Sequence, residues 1–289
     1  MRLRKSVRKL GASLIRIFFK LIPLKISISL AQKIPRIVWY LPSDKDVQFD
    51  KYLGNIKVRV NTRFPIERVM LSGYYDKDTL FIIDKFVKRG DVCFDVGANI
   101  GAISFALAKK VFPHGRVFSF EPGEYLYKRF EYNLSFNPKF RETIKIFQKG
   151  FSDKEEILYW KKDKENEGNA MFLEEKEDDT VPIKLVTMDL FVKENPLEKL
   201  DFIKIDVEGM EFEVIKGGIK TIERYNPIIY YETLLGFEKI RGKSLFLPIE
   251  NMLSNLGYRF FKIYNGNIIP THYPSYSGNT LALPEKIKI

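Results

Sequence analysis

Apolar positions recur along this chain with two periods, about 3.6 and 2, and their alternation predicts most of its elements. Leu3, Val7, Leu10, Leu14, Ile17, Phe18 and Leu21 share one face of a helix. Val47–Arg63 reads as strands about a Gly54-Asn55 turn, and Glu67–Leu71 as a further short strand. A helix is expected from Asp78, as its cap, to Val87, closed by Lys88-Arg89-Gly90. Asp91–Gly101 then reads as a buried strand, a glycine turn and the start of a helix that runs over Ala102–Lys110. Further strands are expected at Gly115–Pro122, Ile144–Gln148, Ile157–Trp160, Val181–Val186, Phe202–Val207 and Asn226–Thr233. Helices are expected at Tyr125–Leu134, Glu211–Lys216 and Ile249–Leu256. Tyr258–Tyr264 and Asn279–Pro284 form a last, antiparallel pair. The charged run Lys161–Thr180 reads as a solvated, mobile excursion. Strands alternating with helices make an α/β chain.

Charge divides this pattern in two. The chain has 289 residues and a net charge of +11, yet no acid precedes Asp44. Ten cations, Arg2, Arg4, Lys5, Arg8, Lys9, Arg16, Lys20, Lys25, Lys33 and Arg36, lie in that opening stretch, so the rest of the chain is near neutral. The arm is a basic amphipathic helix interrupted by Arg16, Lys20 and Lys25, too short to span a membrane. It lacks the apolar core and cleavage site of a secretory signal, which implies a cytoplasmic protein. Two readings stand for the arm: a peripheral anchor on anionic lipid, or a helix packed on the body. Nucleic acid is the weaker partner, since the arm lacks interleaved stacking aromatics and the body lacks positive charge. The single cysteine, Cys93, sits inside a strand and excludes a disulfide framework. Two histidines, His114 and His272, leave little for a histidine metal site, and no metal is assigned. A hard cation at Asp206, Glu208 and Glu232 is the form such a site would take.

The chemistry concentrates at the strand ends. Gly97 and Gly101 permit a sharp turn and close approach of a ligand to the backbone. Their spacing, Gly97-x-x-x-Gly101, is not the G-x-G-x-x-G of a dinucleotide site. Asp95 at the strand tip disfavours a pyrophosphate and suits a ligand bearing an ammonium group, such as S-adenosylmethionine. Glu121 ends the next strand, where an acid accepts both hydroxyls of a ribose; the plainer reading is a helix cap. Phe151 is placed to wall an adenine, or to fill the core. Lys204, Asp206 and Glu208 share one side of their strand if it extends that far, with Glu211 close behind. Crowded carboxylates raise one another's pKa values, which suits a general base. His272 lies in a polar loop and is a weaker candidate base.

Together, Asp95-Val-Gly-Ala-Asn-Ile-Gly101, Phe120-Glu121-Pro122, Lys204-Ile-Asp-Val-Glu-Gly-Met-Glu211 and Asn279-Thr-Leu-Ala282 resemble the FkbM-type family of S-adenosylmethionine-dependent methyltransferases. The resemblance spans about Gly73–Pro284 and leaves the arm and the Lys161–Thr180 run outside it. It implies a Rossmann-like class I fold, a mostly parallel seven-stranded sheet with helices on both faces, here preceded by the basic amphipathic helix. With the charge pattern and the elements before Asp91, the chain is expected to divide into an arm (1–45), an entry module (46–90) and a cofactor-binding domain (91–289). The resemblance implies that Asp95, Gly97, Asn99 and Gly101 line the methionine end of the cofactor, Glu121 its ribose, Phe151 or its neighbours its adenine, and Asp206 the boundary between cofactor and acceptor. Glu208 is then the first candidate for general base, Asp206 the second, with Lys204 steadying them. The expected reaction is O-methylation of a carbohydrate or other polyhydroxylated small molecule. The alternatives are a nicotinamide-dependent oxidoreductase and a membrane-associated scaffold with a vestigial cofactor fold.

Overall fold

The computed structural model describes residues 18, 21–162, 170–173, 175–273 and 277–289, without the side chains of 162 and 170–172. The amphipathic helix expected over Leu3–Leu21 lies, apart from Phe18 and Leu21, outside them. The described residues fall into two units, one ending at Lys77 and the other running from Asp78 to Ile289.

In the first unit, α1 (Leu24–Lys33) buries Ser27, Ile28 and Ala31 and leads into a 3-10 turn at Pro35–Tyr40. β1 (Asp46–Tyr52) and β2 (Ile56–Asn61) form the expected antiparallel hairpin. Val47, Phe49 and Tyr52 bury with Ile56, Val58 and Val60, while the residues between them face water. Glu67–Leu71 is not a strand: α2 covers Pro65–Met70. Pro65 presets the first helical φ, and the buried Glu67 carboxylate accepts the Asn61 backbone N–H at 2.5 Å. Arg68 donates to the carbonyls of Val38 (3.1 Å) and Leu41 (2.9 Å), fixing the 3-10 turn on this helix.

The second unit opens with α3 (Lys77–Phe86), which begins one residue before the expected cap. Asp78 therefore lies in its first turn, where a negative charge still suits the helix dipole. In order follow β3 (Val92–Val96), α4 (Ala102–Val111), β4 (Arg116–Phe120), α5 (Glu124–Ser135), β5 (Ile144–Phe147) and β6 (Gly150–Phe151). Then come β7 (Glu156–Lys162), β8 (Ala170–Leu173), β9 (Thr180–Val186), α6 (Met188–Glu194), β10 (Phe202–Ile205), α7 (Glu211–Gly217), α8 (Ile219–Tyr225) and β11 (Ile228–Thr233). The last elements are α9 (Leu235–Arg241), α10 (Phe246–Asn255), β12 (Tyr258–Tyr264), β13 (Asn267–Pro270) and β14 (Gly278–Pro284).

The main sheet has the order β13-β12-β14-β11-β10-β3-β4-β5. β11, β10, β3, β4 and β5 pair in parallel, and β14 joins antiparallel to both β11 and β12. The expected seven strands are all present; β13 adds an eighth at the edge through a turn at Asn265-Gly266. The chain steps one way from β3 to β5 and the other way from β10 to β11. Right-handed crossovers then put α4 and α5 on one face and α7 and α8 on the other. Alternate strand residues Phe94, Val96, Phe118, Phe120, Ile203, Ile205, Ile229 and Tyr231 fill the core with α6, α7, α8 and α10. A second sheet, β6-β9-β7-β8, follows β5. Its β8 corrects the reading of Lys161–Thr180 as one excursion: Ala170–Leu173 is a short apolar run that satisfies the otherwise open edge of β7.

Candidate active site

β3 lies at the switch point of the sheet, between β4 and β10, where ligands of open α/β folds bind beyond the carboxyl ends of the strands. The turn that leaves β3 is left-handed at Gly97, Asn99 and Gly101. A Cβ at Gly97 would stand 1.8 Å from the carbonyl oxygen of Asp206, and one at Gly101 would stand 2.3 Å from the Phe130 ring. These glycines thus make room for the protein's own backbone and core. The Asp206 N–H closes the same gap by donating to the Val96 carbonyl at 3.0 Å.

A polar row crosses the α4 face of the sheet just below this turn. Ser119, Asp95 and Lys204 stand opposite one another in register on β4, β3 and β10. Ser104 of α4 reaches down to donate to Asp95 Oδ2 at 2.5 Å and lies 2.8 Å from Ser119 Oγ. Lys204 Nζ lies 3.6 Å from Asp95 Oδ1 and 3.2 Å from Asp206 Oδ2, and donates to the Gly97 carbonyl at 3.3 Å. All of these except Asp206 are buried. Burial raises the Asp95 carboxyl above its ordinary range, against the opposing pull of Lys204 and Ser104. Lys204 therefore ties the two halves of the sheet together. Ser104 and Ser119 escaped the sequence reading, because a lone serine in a helix or strand carries no signature until register brings it to a carboxylate.

Glu121 follows β4 and is also buried. Its oxygens accept the N–H groups of Asn99 and Gly123, each at 2.9 Å. Burial still pushes it up to about 7. Trp160 of β7 sits over Gly123, where a Cβ would be 1.7 Å from its ring. Phe151 is 2% exposed and 4.5 Å from Phe120, within the aromatic core.

The carboxylates beyond β10 and β11 meet different surroundings. β10 ends at Ile205, so the strand alternation expected to carry Lys204, Asp206 and Glu208 together stops short. A left-handed pair, Glu208 and Gly209, turns the chain into α7 instead. Glu211, wholly buried, folds back to accept the N–H groups of Val207 (3.0 Å) and Gly209 (3.4 Å). From the far side Arg241 of α9 donates to the Gly209 carbonyl at 2.5 Å and makes a two-pronged pair with Glu213. The Glu208 turn is thus braced from both directions. Burial, then the charges of Asp206 and Glu211, push Glu208 up to about 7. Burial also lifts Glu211 to about 7. Glu232, at the tip of β11, rises to about 9 through burial and the charges of Asp206, Glu211 and Glu208. Its Oε2 is buried with no hydrogen-bond partner among the described residues. Among those residues, no group of three or more histidine, cysteine, aspartate or glutamate side chains is arranged to hold a metal ion. His272 is exposed, 3.0 Å from Glu250.

A family model described as the methyltransferase FkbM domain matches residues 95–260, which include every residue of this constellation. Among curated proteins, hexuronic acid methyltransferase AglP of Haloferax volcanii is 26% identical over 155 residues, covering 53% of this chain and 61% of that protein. AMB antimetabolite synthetase AmbE of Pseudomonas aeruginosa is 24% identical over 193 residues, covering 54% of this chain and 9% of that protein. The chain thus spans less than two thirds of either relative. Among solved structures, the methyltransferase FkbM from Methylobacillus flagellatus is 14% identical, covers 75% of this chain and 52% of that chain, and has a TM-score of 0.46. An O-methyltransferase from Thermotoga maritima is 16% identical, covers 88% and 82%, and has a TM-score of 0.42. The family model spans more than half of the sequence, and the chain belongs to the FkbM methyltransferase domain family.

Proposed function

We propose that this chain is an S-adenosylmethionine-dependent O-methyltransferase that acts on a hydroxyl of a carbohydrate, of which a hexuronic acid is the first candidate. The observation that carries the reading is the Glu208 turn: a carboxylate with no hydrogen-bond donor among the described residues, raised to about 7, beside Asp206 and beyond the strand next to β3. The residues fit a ligand with an ammonium and a sulfonium, because Asp95, Glu121, Asp206, Glu208, Glu211 and Glu232 crowd one end of the sheet, where Lys204 pairs with Asp95 and Asp206. Bound there, S-adenosylmethionine supplies a methyl group already activated by its sulfonium. Asp95, Gly97, Asn99 and Gly101 hold the methionine end. Glu121, whose oxygens each keep a lone pair beyond their backbone bonds, takes the ribose hydroxyls. Asp206 stands between cofactor and acceptor. Glu208 receives the proton of the acceptor hydroxyl as its oxygen gains the methyl. Lys204 holds Asp206 in place. The hexuronic acid reading leans on the relative named for that substrate.

The test is transfer of a radiolabelled methyl group from S-adenosylmethionine to a panel of glycans with and without hexuronic acids. Label on the hexuronate-bearing members, at oxygen by mass spectrometry, is the expected result. Label on nitrogen, or on none of the glycans, would remove the substrate reading.

A further inference from the structure

The described residues of the first unit include a face that they leave uncovered. α1 buries Ser27, Ile28 and Ala31 on one side. On the other, Lys25, Ser29 and Lys33 follow at four-residue spacing and are exposed, with Leu21 one turn before them and Ile26 beside them. Leu21 is 79% exposed, and Ile26, Ile34 and Trp39 are each more than half exposed. Arg36 is exposed on the 3-10 turn. Trp39 is held rather than loose: its neighbour Val38 is buried, and Arg68 clamps the carbonyls of Val38 and Leu41.

From this we infer that the Leu21–Trp39 segment lies against an anionic phospholipid bilayer, with Leu21, Ile26, Ile34 and Trp39 below the headgroups and Lys25, Lys33 and Arg36 among the phosphates. Charge selects this occupant. No acid precedes Asp44, so a long stretch of chain around these apolar side chains is purely cationic. The large apolar residues are single and interspersed with lysine and arginine, an arrangement that suits a fluid interface, where cationic heads reach phosphate and an indole sits at headgroup depth. Among the described residues no helix is long and apolar enough to cross a membrane, so the contact is with the surface. The inference is independent of the methyltransferase reading.

The chain's two tryptophans make it testable in the full-length protein. Trp160 is 6% exposed, so a change in emission on adding lipid reports Trp39. Vesicles of phosphatidylcholine with phosphatidylglycerol should shift the emission to the blue and carry the protein down on sedimentation; phosphatidylcholine alone should do neither. The Trp39→Phe chain should lose the shift. A Lys25→Glu, Lys33→Glu, Arg36→Glu chain should bind anionic vesicles about tenfold more weakly or worse. Circular dichroism establishes that each sample is folded. Three results would overturn the inference: no sedimentation with anionic vesicles, sedimentation without a Trp39 shift (contact made elsewhere on the chain), or a shift that follows protein concentration without lipid (a second copy on this face).

Discussion

Carboxylates stand on both sides of the switch point, but the neighbours of Glu121 and Glu208 differ. On the β3–β4 side, Asp95 and Glu121 are buried: a serine hydroxyl donates to one oxygen of Asp95, with Lys204 paired at 3.6 Å from the other, and two backbone N–H groups donate to Glu121. On the β10–β11 side, Glu208 and Glu232 meet burial first and then the like charges of Asp206 and Glu211, with Glu208 adding to Glu232. Burial lifts Glu121 to about 7, as it does Glu208 and Glu211; what sets Glu208 apart is that it meets like charges where Glu121 meets backbone donors. On the proposed function, Asp95 and Glu121 hold the cofactor while Glu208 takes the proton, a division set by position and neighbours.

Glu208→Gln should cut methyl transfer by about a hundredfold to ten-thousandfold, and calorimetry should show cofactor affinity nearly unchanged. Equal activity in the variant would move the base elsewhere. Lys204→Met should destabilise the fold by about 3–5 kcal/mol, because it strands the buried Asp95 carboxylate; urea unfolding measures this. Adding Asp95→Asn should recover most of the loss, and failure to do so would mean that Lys204 is not the link between the halves. Glu121→Gln should weaken cofactor binding by about tenfold to a hundredfold with a smaller effect on turnover at saturation. The reverse pattern would erase the division proposed above. A further effect is on stability against pH. Glu208 and Glu211 are raised to about 7 and Glu232 to about 9, so the folded state binds more protons than the unfolded state above about pH 4.5. Their contribution is full below that pH and is lost as pH rises through 7 and then 9. The ligand-free melting temperature should therefore fall from pH 6 to pH 9, and Glu232→Gln should flatten the upper part of that slope.

The sequence displayed the frame of this fold more clearly than its site. The central strands were legible because both faces are covered, so Val92–Val96 and Phe202–Ile205 are short apolar runs interrupted only where a polar residue has a buried partner. Glu67–Leu71 misled because a single helical turn is too short for its period to differ from a strand's, although Pro65 marked a helix start. β13 was missed, although Asn265-Gly266 is a pair that favours the tight turn of a hairpin. The acids at the strand tips were visible as a group, but not their separate surroundings. Those depend on where β10 stops and on a left-handed Glu208, a conformation that no residue type other than glycine signals reliably.

The space at Gly97 also bears on how this chain can drift. Every one-base missense change in a glycine codon introduces a residue with a Cβ, whatever else it brings. At Gly97 that first atom would fall 1.8 Å from a main-chain oxygen, which no rotamer can avoid. The position therefore has no tolerable neighbour in the genetic code. Substitutions that alter the reach of Asp206 or Glu208 must arise in side chains around this fixed crossing, because the crossing itself offers inheritance nothing to vary.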